Sequence, residues 1–240
     1  MNPLSMTGRD DMRHRAVLLV AVAIASIGLW QTQTGSMILY PFTILATWFH
    51  EMGHGITTLL TGSDFRELVI HLDGSGYAVS VRPADGSRIA DALISAGGPM
   101  GPALAGAVLL MASRTPSRTR QALALLGVLL IASTVVWVRS TVGWAVLPVM
   151  GAGIMLLAIK GGRWIQRLAI QILGVQAGIS VWRQFDYLFS DGGLVGGRQA
   201  RSDTAAIADA LLLPYWFWGA AISLAIVGVL GFALRYSFKR

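Results

Sequence analysis

The chain has 240 residues, of which 54% are hydrophobic and only 13% are charged, whereas a soluble globular domain carries about a quarter charged residues. This composition favours an integral membrane protein and argues against a soluble enzyme. The net charge of +7 would suggest nucleic-acid binding in a soluble domain. Here the basic residues are spread over tails and short loops, where lipid headgroups are the expected partner, and we expect no nucleic acid. The chain contains no cysteine, which excludes disulfides and thiolate ligands.

The first half of the chain alternates apolar runs with one polar segment. Residues 1–15 form a polar, basic tail, and the apolar residues 16–30 predict a retained first transmembrane helix rather than a cleaved signal peptide. A second apolar run, residues 36–60, is long enough to cross a bilayer. The polar segment 61–88 alternates around the turn Asp73-Gly74-Ser75-Gly76, which predicts a β-hairpin. Such a hairpin can bind an extended peptide by strand addition or be an ordinary loop, and the sequence does not separate the two.

The second half predicts further spans and a second polar region. Residues 89–112 are rich in small residues, and Pro99 and Pro102 predict a bent or broken helix beside the second apolar run. More apolar runs follow, at residues 122–138, 142–159, 168–185 and 211–234. Between the last two lies the polar loop 186–210, where Ser202 is a candidate cap for a short helix.

These patterns predict an all-α integral membrane protein with about six to seven transmembrane helices and a small β-hairpin. We expect one transmembrane domain over residues 16–240, in a multi-pass protein of the cell (plasma) membrane whose partner is the lipid bilayer. The membrane orientation stays open because the basic residues divide almost equally between the two sides.

The second apolar run contains the motif His50-Glu51-Met52-Gly53-His54. On a helix, positions i and i+4 share one face, so His50 and His54 can hold one metal ion, with Glu51 placed as general base for a metal-activated water. The chain has only four His and two Glu, and random placement would give roughly 0.0005 such motifs. Ionisable groups in an apolar run are also costly unless they serve a function.

A hydrolytic zinc site needs a third protein ligand, which here must be an aspartate, a glutamate or a histidine. Asp186 is the preferred candidate because it ends an apolar helix, and Asp191 is the alternative because it lies in a flexible Ser-Asp-Gly-Gly turn. Asp203 is set aside as a helix-start residue, and Asp209 as a solvated helix position. The other candidates lie in the tail, in the hairpin region or at a helix start: His14, Asp10, Asp11, His71, Asp64, Asp73, Asp85 and Asp91.

The order of these motifs resembles the site-2 protease family of intramembrane zinc metalloproteases, and in particular a compact, multi-span branch of it. The matching features are His50–His54, the turn Asp73–Gly76, the small-residue stretch Ala96–Pro102 and a late segment from Asp186 through Ser202-Asp203-Thr204. The resemblance implies Zn²⁺ held by His50, His54 and a later aspartate, with Glu51 as base. Site-2 proteases place that aspartate after an Asn-x-x-Pro sequence, which is missing before Asp191.

The leading hypothesis is therefore an intramembrane zinc metalloendopeptidase that hydrolyses a membrane-associated peptide or protein. The alternative is a non-catalytic multi-span protein, a transporter or scaffold with a vestigial or structural metal site, to which a broken helix would be suited. A hydrolase acting on lipid is a third possibility, and only the predicted hairpin favours a peptide over it.

Overall fold

The computed structural model describes residues 8–83 and 86–238. Within them the chain is mostly helical. The helices are α1 (Gly8–Trp30), α2 (Gln33–Ile38), α3 (Tyr40–Leu60), α4 (Arg88–Ala112), α5 (Pro116–Val136), α6 (Thr141–Lys160), α7 (Arg163–Arg183), α8 (Phe185–Leu188), α9 (Asp203–Ala210) and α10 (Tyr215–Phe238). The strands are β1 (Asp64–Ile70), β2 (Gly76–Val81), β3 (Gly192–Val195) and β4 (Arg198–Arg201).

Four of the described helices are long and apolar enough to cross a membrane, namely α4, α5, α6 and α10. The predicted count of six to seven spans is not confirmed. Helix α3 has the required length but carries the two histidines and the glutamate of the motif, and α7 carries arginines and glutamines. Helix α1 begins at Gly8, inside the predicted tail, and it contains the apolar helical segment Leu19–Trp30. Residues 1–7 lie outside the described part of the chain.

Helices α3 and α4 pack together through glycines. A methyl group added at Gly53 would overlap with the carbonyl oxygen of Gly97, and one at Gly101 would overlap with the carbonyl oxygen of Phe49. Small residues allow such close approach, which favours helix association in lipid. Helix α4 also contains Pro99 but runs without interruption from Arg88 to Ala112, so the predicted break is not observed.

The predicted hairpin is confirmed as β1 and β2, which pair antiparallel. Its turn is stabilised by Asp73, whose carboxylate accepts hydrogen bonds from the hydroxyl and the backbone N–H of Ser75 at 2.7 and 2.9 Å. These two bonds hold the pKa of Asp73 below its ordinary value. The edge of β1 that faces away from β2 is hydrogen-bonded at Leu68, whose N–H donates to the carbonyl oxygen of Trp137 and whose carbonyl accepts from the N–H of Arg139. In the described structure β2 pairs only with β1.

The second polar region folds into a second hairpin followed by a short helix. Strands β3 and β4 pair antiparallel around Gly196 and Gly197, whose positive φ angles of 55° and 77° are readily adopted by glycine alone. Ser202 caps α9, because its side chain accepts a hydrogen bond from the backbone N–H of Ala205. The predicted cap is confirmed, whereas the hairpin before it was not predicted.

The glycine contact between α3 and α4 gives a direct test of this packing. Replacing Gly101 by Ala is expected to lower the free energy of unfolding by about 2 kcal/mol, because the methyl group would overlap with the backbone of α3. The change can be measured by thermal unfolding in detergent micelles. Gly228→Ala in α10 is the matched control, because a methyl group there meets nothing within 4 Å; equal melting temperatures for the two variants would contradict the packing.

Candidate metal centre

Helix α3 presents His50 and His54 one turn apart on the same face, as the motif predicts. Their ring centroids are 4.9 Å apart. His50 is buried and His54 is half-buried, although histidine has a polar side chain. Two polar rings enclosed side by side require polar partners.

The partner is Asp203, the first residue of α9. Its Oδ2 lies 3.0 Å from Nε2 of His50, and its Oδ1 lies 3.2 Å from Nε2 of His54. Ser202 and Thr204 fix this position, because their hydroxyls donate to the carbonyl oxygens of Ser190 and Leu188 at 2.6 and 2.9 Å. The start of α9 is therefore tied to the segment before β3, and Asp203 points to α3.

The outer nitrogens of both histidines are occupied by hydrogen-bond acceptors. Nδ1 of His54 lies 2.7 Å from the carbonyl oxygen of Ile94, and Nδ1 of His50 lies 3.0 Å from Oε1 of Gln184. Because these oxygens only accept, each Nδ1 carries a hydrogen, and the neutral form of each ring therefore directs its Nε2 lone pair at Asp203. This is the arrangement of metal-binding histidines, whose second nitrogen donates to an oxygen.

The carboxylate of Asp203 is a buried anion. Burial raises the pKa of Asp203, but the positive charge that His54 and His50 carry when protonated lowers it by more, so this pKa lies well below the ordinary value. Its Oδ2 is buried and accepts no hydrogen bond. Two lone pairs and a carboxylate facing one another are stabilised by a cation between them, and the three ligand atoms lie within 4.8 Å of one another. The donor set thus fits a metal ion such as zinc.

Helix α4 closes the centre from the other side. A methyl group at Gly98 would overlap with Nε2 of His54 and would lie 2.6 Å from Nε2 of His50. Only a residue without a side chain fits there. The small-residue stretch of α4 therefore has two effects: it lets α4 approach α3, and it leaves room for both imidazoles.

Glu51 is buried at the same centre. A methyl group at Gly76, the first residue of β2, would lie 3.2 Å from Cγ of Glu51, so the strand begins directly over this side chain. A cavity of about 310 Å³ opens here. Its lining includes His50, Glu51, His54, Asp203, Tyr77 and Tyr187. The glutamate and the candidate ligands thus share one space that is large enough for part of a substrate.

The preference for Asp186, with Asp191 as alternative, does not match this geometry. Asp186 is exposed on α8, and Asp191 forms an ion pair with Arg201, 2.7 Å away. The sequence alone disfavours Asp203 as a ligand, because a carboxylate in the first turn of a helix stabilises that helix by itself. It does lie in the first turn of α9, but its side chain is turned inward to the histidines.

Of the other candidates, Asp91 also lines the cavity, where it pairs with Arg82. The rest lie elsewhere or outside the described side chains: His71 and Asp73 belong to the β1–β2 hairpin, and Asp64 pairs with Arg66. The side chains of Asp10, Asp11 and His14, and Asp85 as a whole, are not described.

Two residues at the centre were missed, Gln184 and Tyr187. The hydroxyl of Tyr187 donates to the carbonyl oxygen of Arg201 at 2.9 Å. Burial raises its pKa, and Asp203 and Glu51 raise it further, so the phenol stays protonated. The sequence carries no signal for either residue beyond its nearness to Asp186.

Filling the space at Gly98 tests the centre. Gly98→Ala is expected to lower the affinity for Zn²⁺ at least about tenfold, because the methyl group displaces both imidazoles. Competition against a chromogenic chelator measures the affinity. In Gly178→Ala the methyl group makes only ordinary contacts with Leu230, and this control should bind Zn²⁺ like the unmodified protein. Unchanged affinity in Gly98→Ala would rule out the assignment of this centre.

Comparison with known proteins identifies the family. The family model described as Peptidase M50B-like matches residues 18–233, a range that contains the motif, both hairpins and Asp203. No curated protein and no solved structure shows significant similarity to the chain. The match covers nearly the whole chain, and the chain therefore belongs to the peptidase M50B-like proteins, within the site-2 protease family of intramembrane metalloproteases.

Proposed function

We propose that the protein is an intramembrane zinc metalloendopeptidase in which His50, His54 and Asp203 hold the metal and Glu51 is the general base. The observation that carries the proposal is the convergence of three buried ligand atoms beside a cavity that Glu51 also lines. Membership in a metallopeptidase family supports it. The intact Glu51 argues against a purely structural site, which needs no base.

The chemistry follows from the donor set. A zinc ion held by the two nitrogens and the carboxylate oxygen would polarise a substrate carbonyl and acidify a water. Glu51, which is buried and lines the same cavity, would take the proton from the attacking water and return it to the leaving amine. Gln184 and the carbonyl of Ile94 keep the histidines in the orientation this requires.

The substrate in this proposal is an extended segment of a membrane-associated peptide. The unpaired edge of β2 borders the cavity, and its first residue lies over Glu51. A peptide that adds to this edge as a further strand has its backbone positioned next to the base. A lipid ester would gain nothing from such an edge, which favours a peptide substrate.

We place the protein in the cell membrane as a multi-pass protein. Beyond the four apolar helices, we propose that α1, α3 and α7 also cross the bilayer, which makes seven spans. Helix α3 hides its polar residues toward α4 and α9, and this burial makes a polar motif tolerable at membrane depth.

The role of Glu51 is tested by Glu51→Gln, which keeps the shape of the side chain but cannot take a proton. Cleavage of a model transmembrane peptide in proteoliposomes is expected to fall by at least about a hundredfold, while the Zn²⁺ content stays the same. Glu67→Gln is the control, because this second glutamate lies on β1 away from the cavity. Equal cleavage by Glu51→Gln and the unmodified protein would refute the proposed mechanism.

The third ligand is tested by a pair of aspartate variants. Asp203→Asn is expected to lower Zn²⁺ affinity by about ten- to a hundredfold, because the amide lacks the negative charge of the carboxylate. Asp186→Asn should leave the affinity unchanged, because Asp186 is exposed on α8. If only Asp186→Asn lost Zn²⁺, the third ligand would have to be reassigned.

A further inference from the structure

The two hairpins touch at their turns. The backbone N–H of Gly196 donates to Oγ of Ser75 at 3.1 Å, and the same hydroxyl donates to Asp73 at 2.7 Å. The ring of His71 packs on Gly196 so closely that a methyl group there would lie 2.6 Å from Cε1 of the ring. The β1–β2 turn thus holds the tip of the β3–β4 hairpin through one hydrogen bond and one ring contact.

The same two hairpins line one cavity. Residues Gly76–Ala78 line it from β2, whereas Val195 and Ala200 line it from β3 and β4. A peptide added to the edge of β2 would lie about 4.8 Å from that strand, in the cavity that β3 and β4 also line. The joined turns therefore keep the β3–β4 hairpin beside the space that such a peptide would enter.

We propose that the β3–β4 hairpin is a lid over the peptide-binding cleft, held closed by the contact of Gly196 with Ser75 and His71. The proposal rests on the proposed peptidase function. A peptide reaches the edge of β2 after this contact has opened, and the hairpin then closes over it. The lid thereby controls which chains reach Glu51, and how fast.

The two ends of the β3–β4 hairpin are held very differently. At its base, Arg201 pairs with Asp191 and Asp209 at 2.7 Å each, and the N–H of Ser202 donates to the carbonyl oxygen of Asp191 at 3.2 Å. At its tip, the one backbone hydrogen bond to Ser75 is exposed. The hairpin also buries little apolar surface, since Leu194 is 66% exposed. The tip therefore separates first, while the base keeps Asp203 in place.

A reversible crosslink tests the lid. The chain has no cysteine, so the pair His71→Cys and Gly196→Cys introduces the only two thiols, at the two positions where the ring of His71 contacts Gly196. Oxidation is expected to lower cleavage of a model transmembrane peptide at least about tenfold. Dithiothreitol should restore it, with Zn²⁺ content the same throughout. Each single-cysteine variant is the control and should not respond to oxidation.

The crosslinking experiment distinguishes a failure of the lid proposal from a failure of the proposed peptidase function. If the crosslinked protein cleaves as fast as the reduced one, the lid is refuted and the peptidase assignment stands. If even the unmodified protein cleaves no peptide, the proposed function fails, and the lid is then decided by a measurement that needs no activity.

That measurement is alkylation of a cysteine inside the cavity. Ser95→Cys places one thiol among the lining residues, and Ser75→Ala removes the acceptor for Gly196. Adding Ser75→Ala to Ser95→Cys is expected to speed alkylation about fivefold, the effect of losing one net hydrogen bond. The control adds Ser117→Ala, an exposed position on α5, instead. Equal rates with Ser75→Ala and Ser117→Ala would overturn the proposal, also where the cysteine pair fails to fold.

Discussion

The structure depends on one buried contact, in which the carboxylate of Asp203 faces Nε2 of His50 and of His54. A buried carboxylate is costly unless positive charge and fixed geometry compensate it. The surrounding elements supply that geometry: α7 and α8 hold Gln184, α4 provides the carbonyl of Ile94, and the cap at Ser202 orients α9. The contact between α3 and α9 is polar, so its side chains must be held in place by hydrogen bonds, and these elements provide them.

The glycines of α4 show how packing and chemistry share one surface. Gly97 and Gly101 lie against the backbone of α3, while Gly98, between them, lies against the two imidazoles. In lipid there is little hydrophobic gain when helices associate, so close backbone contact carries more of the stability. A larger side chain in this stretch would therefore damage both the helix packing and the candidate metal centre.

Several features of the fold and of the candidate site could be predicted from the sequence. His50, Glu51 and His54 follow from helical periodicity, the β1–β2 hairpin from alternation around Asp73–Gly76, and the cap at Ser202 from its side chain. Periodicity describes what lies within one element, whereas the third ligand depends on how α9 meets α3. The local features of Asp203 indicate a helix start, and only tertiary contacts show which way its carboxylate points.

The structure differs from the sequence prediction at two other places, the β3–β4 hairpin and helix α4, and both depend on tertiary contacts. The glycines at 192, 193, 196 and 197 argue against a helix but do not predict which strands pair, so the sequence predicts only a polar loop where the β3–β4 hairpin forms. Pro99 and Pro102 predict a break in an isolated helix, but the packing of α4 against its neighbours supports a continuous one. The predicted count of six to seven spans is not confirmed, because the polar residues of α3 and α7 lower the mean hydropathy of these two helices.

The distance along the chain between the ligands has a consequence for biosynthesis. About 150 residues separate His54 from Asp203, and at the usual speed of a ribosome the second is made roughly 8–30 s after the first. During that interval the nascent chain contains His50 and His54 but not Asp203, so the cluster of three ligand atoms is incomplete. For the proposed peptidase, the order of synthesis therefore delays hydrolysis until most of the chain has been made, which protects the unfinished protein.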